Sequence, residues 1–278
     1  MTEEHENLTP HEALEYTAAL GVKKVNKSIS QMLVLGFMAG VFIALASYGS
    51  IVGSHSLTLR METYALGKFV SGLIFTTGLI LVLVSGGDLF TGNTLIIMSV
   101  LQKKVTVLKM LRNWLFVYIG NFIGSVVTVI LIIISGVPQH RPELALASLQ
   151  MAVSKVNYSF PQAVVLGILC NILVASAVWM SYSSKNILTR AGISFFPIML
   201  FITSGYEHSV ADMFYIPYGM ALKNEFSQAA LAAGTSATEL ANLNWHGLFI
   251  TSLFPVTLGN IIGGCLFIGT IYWFTNKD

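Results

Sequence analysis

Three ionisable side chains stand within six positions of the stretch "SGYEHSVADMF" (204–214): Glu207, His208 and Asp212. Its flanks, "FFPIMLFIT" and "MFYIPYGMAL", are apolar, so the charges interrupt a segment suited to crossing a bilayer. Such groups cost about 2.5–3.5 kcal/mol each at mid-membrane on insertion scales and mark function by default. Histidine changes charge near neutral pH. In a helix break beside a carboxylate, His208 is placed to hold and release a proton. Moving a proton from such a ring to a small carboxylic acid is uphill in water by about 3.5 kcal/mol, from ~6.5 against ~3.9. Low dielectric narrows that gap, because it disfavours the charged pair more than the neutral one. Ser209 is expected to cap a resuming half-helix, with Asp212 bonding back to the cap. Lys155 is the candidate partner of Glu207, the plainer alternative being a lysine that snorkels from a helix end.

The elements that position these groups follow from composition. Of 278 residues 54% are hydrophobic and only 10% charged, against about 25% charged in a soluble domain. The chain reads as an all-α integral membrane protein. Its net charge of +2 gives no argument for nucleic acid. The acidic start, with no apolar run before about residue 29, does not read as a cleavable signal peptide. Four charge-free runs are long enough to span: 28–59, 113–139, 156–184 and 247–276. Two more are broken. Residues 69–87 meet Asp88 and resume as "LFTGNTLIIMSVL"; residues 191–206 meet Glu207 and resume at 213.

Six spans result, with the second and fifth broken. Asp88 lies five before Asn93 as Glu207 lies five before Asp212, and "GNFIG" (120–124) answers "GNIIG" (259–263). Three spans per half make an inverted repeat, with the site at the midplane between the broken helices. The expected organisation is an N-terminal amphipathic helix over 1–28 and one transmembrane channel domain over 29–276, with repeats of about 29–137 and 156–276. Lysine and arginine fall ten inside against five outside when both termini are cytoplasmic. Thr9, Pro10 and Glu12 start the amphipathic helix, and Leu14, Ala18, Val22, Val25 and Ile29 form its apolar stripe. It either lies on the inner interface or plugs a pore.

Two half-helix N-termini converging at the midplane would favour anions. Bulky apolar residues should narrow the path: Phe75, Leu79, Leu89, Phe90 and Phe201 are candidates, with ordinary packing the alternative for each. Thr91 offers a hydroxyl in the first break, opposite the second. The pairs Gly36/Gly40, Gly120/Gly124 and Gly259/Gly263 suit close helix packing, and Cys170 and Cys265 read as packing residues. No metal-ligand spacing, cofactor motif or nucleophile–base arrangement marks an enzyme.

The segments "DLFTGN" (88–93), "NWLFVYIGNFIG" (113–124), "LGILCNILVASAVWMSYS" (166–183), "SGYEHSVADMFYIP" (204–217) and "FPVTLGNIIGG" (254–264) resemble the formate/nitrite transporter family, and within it the formate channels most. The resemblance covers all six spans. It implies an aquaporin-like fold, a homopentamer with one pore per subunit in a bacterial-type cytoplasmic (inner) membrane, and passage of formate, nitrite, hydrosulfide or other short carboxylates. By the same resemblance His208 is the central histidine and Thr91 its opposite. Lys155, Asn171 and Glu207 form a polar network around it. Leu89, Phe90, Val174 and Phe201 match one constriction, and Phe75 with Leu79 the other. The N-terminal segment matches a pH-sensitive gating helix. Asp212 departs from the pattern, standing where asparagine is expected; as an ionised group near the path it would oppose anions and alter selectivity or pH response, and as a cap pointing away it would change little. Alternatives are a nitrite or hydrosulfide channel of the same family, a neutral-solute pore, which lacks its paired Asn-Pro-Ala breaks here, or an ion-coupled transporter using Glu207 and Asp212 as cation ligands.

Overall fold

The computed structural model describes residues 7–277; the first six residues of the expected 1–28 segment lie outside them. Helix α1 (Pro10–Val25) starts where its sequence dictates. Thr9 accepts from the Glu12 N–H, Glu12 returns a bond to the Thr9 N–H at 2.8 Å, and Pro10 occupies the first turn. Leu14, Ala18 and Val25 are buried, but Ile29 is not part of this stripe. It opens the next helix and is 42% exposed.

Among the described residues six helical segments are long and apolar enough to cross a membrane: Ile29–Thr58, Met61–Ser85, Val107–Ile134, Phe160–Ser181, Ile187–Ser204 and Gly247–Asn276. The protein is a multi-pass membrane protein. The first span is α2 (Ile29–Thr58), and the second contains α3 (Tyr64–Ser85). After the first break the chain resumes as α4 (Phe90–Asn93), a 3-10 turn (Thr94–Ile96) and α5 (Ile97–Leu101). The third span is α6 (Val107–Ile134), which begins six residues before the apolar run at 113 and ends sooner.

Between the halves lie α7 (Val137–His140) and α8 (Pro142–Lys155), elements the apolar pattern did not delimit. Then follow α9 (Phe160–Ser181), α10 (Ile187–Ser204), and α11 (Ser209–Ala232), which resumes four residues before the apolar run at 213. Short α12 (Ala237–Ala241) leads to the sixth span. That span alternates π-helical turns (Gly247–Leu253 and Ile262–Thr270) with α13 (Phe254–Ile261) and α14 (Ile271–Asn276). Among the described residues the extended pairing is a single bridge, Asn7 to Ser184.

Spans one and three touch backbone to backbone, as do spans four and six. A Cβ on Gly36 would sit 2.7 Å from the Val117 carbonyl oxygen, and one on Gly167 would sit 2.6 Å from that of Val256. Small residues permit this approach where apolar lipid gives helices little reason to associate. Outward-facing Leu115, Ile123, Leu131 and Ile134 on α6 are exposed, as a lipid-facing or subunit-facing surface requires.

Candidate functional site

Each broken span ends on a glycine in the left-handed region, Gly86 (φ +79°) and Gly205 (φ +75°), which turns the chain inward. The next residues leave backbone groups unpaired at membrane depth, where only protein can satisfy them. Two asparagines do so by matching geometry. Asn121 Oδ1 accepts from the Phe90 N–H at 3.0 Å, while its Nδ2 donates to the carbonyls of Gly36 (2.8 Å) and Asp88 (3.0 Å). Asn260 Oδ1 accepts from the Ser209 N–H at 3.0 Å, while its Nδ2 donates to the carbonyls of Gly167 (2.8 Å) and Glu207 (3.1 Å). The Asp88 N–H donates to Leu35 O and the Glu207 N–H to Leu166 O. These asparagines are the central residues of "GNFIG" and "GNIIG"; the repeat was visible in sequence, but the clamp was not.

His208 lies in the second break, 3% exposed. Its Nδ1 accepts the Ala211 N–H at 3.1 Å, which makes His208 the N-cap of α11. The expected cap, Ser209, is instead the first helical residue, and its buried Oγ has no hydrogen-bond partner among the described residues. With Nδ1 accepting, the neutral ring carries its proton on Nε2, which donates to Thr91 Oγ1 at 2.8 Å. Thr91 thus reaches His208 across the pseudo-symmetry. Phe201 stacks on the imidazole (5.9 Å between centroids), and Phe75 meets Phe201 edge-on at 5.5 Å. Leu79, Leu89 and Val174 are buried. Phe90 belongs to another aromatic group, packing edge-on against Trp114 and Tyr118.

Lys155 ends α8 and turns its ammonium inward. Its Nζ donates to Glu207 Oε2 at 2.6 Å and lies 2.9 Å from Asp212 Oδ1, with the Tyr215 ring 4.9 Å away. Asp212 therefore does not close a capping box or point away. It faces the ammonium and also accepts from Ser252 at 3.2 Å. Histidine took the cap position one residue earlier, leaving the Asp212 carboxylate free to pair. Asn171 joins the two breaks rather than the ion cluster. Its Nδ2 donates to Asn260 O (2.6 Å) and, at 3.3 Å, to Thr91 O and Thr94 Oγ1, while its buried Oδ1 lacks a hydrogen-bond partner among the described residues. A vestibule of about 460 Å³, lined by Lys68, Ser71, Lys155, Tyr158 and Glu207 among others, opens outward from this cluster.

The first break is less regular. Thr94 Oγ1 donates back to the Thr91 carbonyl at 2.6 Å, and a 3-10 turn replaces the α-helix there. The expected pair of helix N-termini is thus unequal: one four-residue turn faces one 24-residue helix.

This architecture, two inverted halves with clamped breaks meeting at a histidine, is that of a known class of membrane proteins. The chain belongs to the formate/nitrite transporter family, whose model (Formate/nitrite transporter) matches residues 11–274. It is 37% identical over 268 residues to the formate channel FocA of Escherichia coli (strain K12), covering 96% of this chain and 93% of that one. It is likewise 37% identical to FocA of Haemophilus influenzae (strain ATCC 51907 / DSM 11121 / KW20 / Rd) over 275 residues, covering 97% and 95%. A solved pentameric formate channel with formate bound superposes with a TM-score of 0.76 at 32% identity, covering 90% of this chain and 98% of that one.

Proposed function

We propose that this protein conducts formate across the cytoplasmic (inner) membrane of a bacterial-type cell, as a homopentamer with one pore per subunit and both termini cytoplasmic. It does so without covalent chemistry. The observation that carries the reading is the hydrogen-bonded His208–Thr91 pair between the two breaks, beside the Lys155–Glu207 ion pair. Similarity to formate channels over nearly the whole chain supports it.

Lys68 and Lys155 line the vestibule that an anion would enter, the charge of Lys155 being matched there by Glu207 and Asp212. Phe201 and Phe75, with Leu79, Leu89 and Val174, oppose the passage of a bare charge, because low dielectric penalises it. His208 relieves that opposition. In the neutral ring Nε2–H is a donor that an arriving carboxylate can accept in place of Thr91. A second proton must go to Nδ1, which faces the Ala211 N–H. Protonation there forfeits the cap and sets a cation against a helix N-terminus. The imidazolium is therefore tolerated only with an anion against Nε2, so proton uptake is tied to anion occupancy. Transfer of the Nε2 proton to the formate anion then gives neutral formic acid that passes the constriction, and the ring caps α11 again once the proton left on Nδ1 has been given up and Nε2 reprotonated.

Influx into liposomes holding the purified protein tests this, with formate, nitrite and hydrosulfide compared at two pH values. Formate should enter faster at the lower pH, and His208→Asn should abolish the pH dependence. Preferred nitrite or hydrosulfide influx would overturn formate as the substrate. A pH-independent flux untouched by His208→Asn would overturn the proton relay.

A further inference from the structure

Two of the lysines recur between the halves of the chain. "KVNKSISQ" (24–31) and "KVNYSFPQ" (155–162) share "KVNxSxxQ" and place Lys24 and Lys155 at matching positions. Lys68 has no such twin. Gly86 and Gly205 set the second and fifth spans 119 positions apart, and that offset carries Lys68 to Ile187, a 60% exposed apolar residue. The vestibule therefore holds a cation that the repeat does not supply.

Packing fixes where this cation stands. Lys68 lies one turn before Gly72 in α3, and a Cβ on Gly72 would sit 2.7 Å from the Met199 carbonyl oxygen and 2.6 Å from Thr203 Oγ1. Helices α3 and α10 thus touch near the end of α10, and the Lys68 ammonium lies 3.9 Å from where a Cβ on Gly205 would stand. Gly205 is the turn that leads to Glu207 and His208. Lys68 is half-buried, and among the described residues it makes no hydrogen bond or ion pair. The end of a helix attracts a cation, yet no carbonyl of α10 accepts from this one. Ser71, three residues on and so on the same helix face, also lines the vestibule. Its hydroxyl has no hydrogen-bond partner among the described residues either.

The other charges of the vestibule leave no cation to spare. Lys155 is held by Glu207 at 2.6 Å and by Asp212 at 2.9 Å, so these three carry a formal charge of −1. A cluster of that sign repels an entering anion. Lys68 brings the total to zero and keeps its donors unspent. We propose that Lys68, with the Ser71 hydroxyl, forms a binding site for a small carboxylate in the vestibule, and that Lys155 serves there as the counter-ion of Glu207 and Asp212 rather than as the recruiting charge. This deepens the reading of the pore as an anion channel and rests on it. One carboxylate oxygen takes an ammonium N–H and the other the serine O–H, beside the turn that leads to His208.

Formate influx into liposomes, measured over a range of concentrations, tests this in the wild type, Lys68→Met and Lys68→Met/Asp212→Asn. Lys68→Met should raise the half-saturating concentration about tenfold and leave the saturated rate within about twofold. Asp212→Asn added to it should recover most of that loss, because it returns the vestibule to zero charge. A lysine that only packs against α10 predicts no such recovery. Lys68→Cys, labelled after folding, removes any question of misfolding. A cationic aminoethyl adduct should restore uptake at low formate, and an anionic sulfonatoethyl adduct should slow it further. The wild type, with Cys170 and Cys265, receives the same reagents as the control. An unchanged half-saturation in Lys68→Met, no recovery with Asp212→Asn, or equal effects of the two adducts would each overturn the inference. If the wild type carries nitrite or hydrosulfide but no formate, the substrate reading fails, and the same ratios on the carried anion judge Lys68. A wild type that carries none of the three overturns both.

Discussion

In the first break Asp88 faces two ammonium groups, Lys24 and Lys27; in the second, Lys155 faces two carboxylates, Glu207 and Asp212. The backbone around them is the same: a left-handed glycine, an N–H given to a leucine carbonyl, and an asparagine clamp with three bonds. Two substitutions between the halves invert the charge. Asn93 stands where the second half has Asp212, and Lys27 where it has Tyr158. A third gives the chemistry, since Leu89 occupies the position of His208. One scaffold therefore carries a break with a net positive charge in one half and a break with a histidine in the other. The clamp sets where the side chains stand, and the side chains set what each break does.

Removing the cation should separate the breaks most. Lys155→Met leaves two buried carboxylates without a counter-ion and should cost about 3–5 kcal/mol. Lys24→Met leaves Lys27 on Asp88 and should cost about 1 kcal/mol. Thermal unfolding in detergent measures both, and equal losses would mean that the charge inversion has no energetic meaning. Breaking the clamps should make the breaks alike instead. Asn121→Ala and Asn260→Ala each orphan three backbone groups, at about 1–3 kcal/mol for a buried group left unpaired. Similar drops in melting temperature are expected from the two, with formate influx lost more completely in Asn260→Ala because its break holds His208.

A smaller effect should follow from correcting the charge excess. Asp212→Asn gives the second break the composition of the first at this position and removes a carboxylate from the proposed anion path. Formate influx should rise by a few-fold, about what 1 kcal/mol confers; a fall would show that Asp212 helps the ion along. The smallest effect lies at the surface. The hydrogen bond and charge of Lys104, 2.7 Å away, hold the Glu15 carboxyl below its ordinary value of 4.5, with Gln102 assisting. A lowered carboxylate value means that this contribution to α1 docking is complete above pH 4.5 and fades as pH falls through the lowered value. The protection factors of residues 10–25 against hydrogen exchange, corrected for the intrinsic pH dependence of the exchange rate, should therefore stay flat between pH 7 and 5 and fall slightly only in stronger acid.

The sequence made the spans and their breaks legible because apolar length and intramembrane charge are local signals. Asp88 and Glu207 marked both breaks, and the capping box at Thr9 gave the start of α1. What it did not make legible depends on contacts across the chain. Ser209 looked like the cap because serine usually is one; a histidine nitrogen held in place by Thr91, 117 positions away, took that role. Asp212 followed from that error, since a carboxylate three residues after a serine reads as a capping box until a lysine is found facing it. Asn121 and Asn260 looked like part of a glycine-packing motif, because their partners lie in other spans. The repeat "KVNxSxxQ" was open to inspection throughout, yet nothing local says that it delivers a lysine to a distant carboxylate.

Chain order gives this pairing a further consequence for biosynthesis. Lys24 and Lys27 precede Asp88, and Lys155 precedes Glu207 and Asp212. Synthesis runs from the N-terminus, so each acid leaves the ribosome after its counter-ion has been made. A carboxylate arriving alone in the bilayer would bear the full penalty of intramembrane charge. In this order neither break has to wait for a partner still to be translated, and each half can settle its charged break as it emerges.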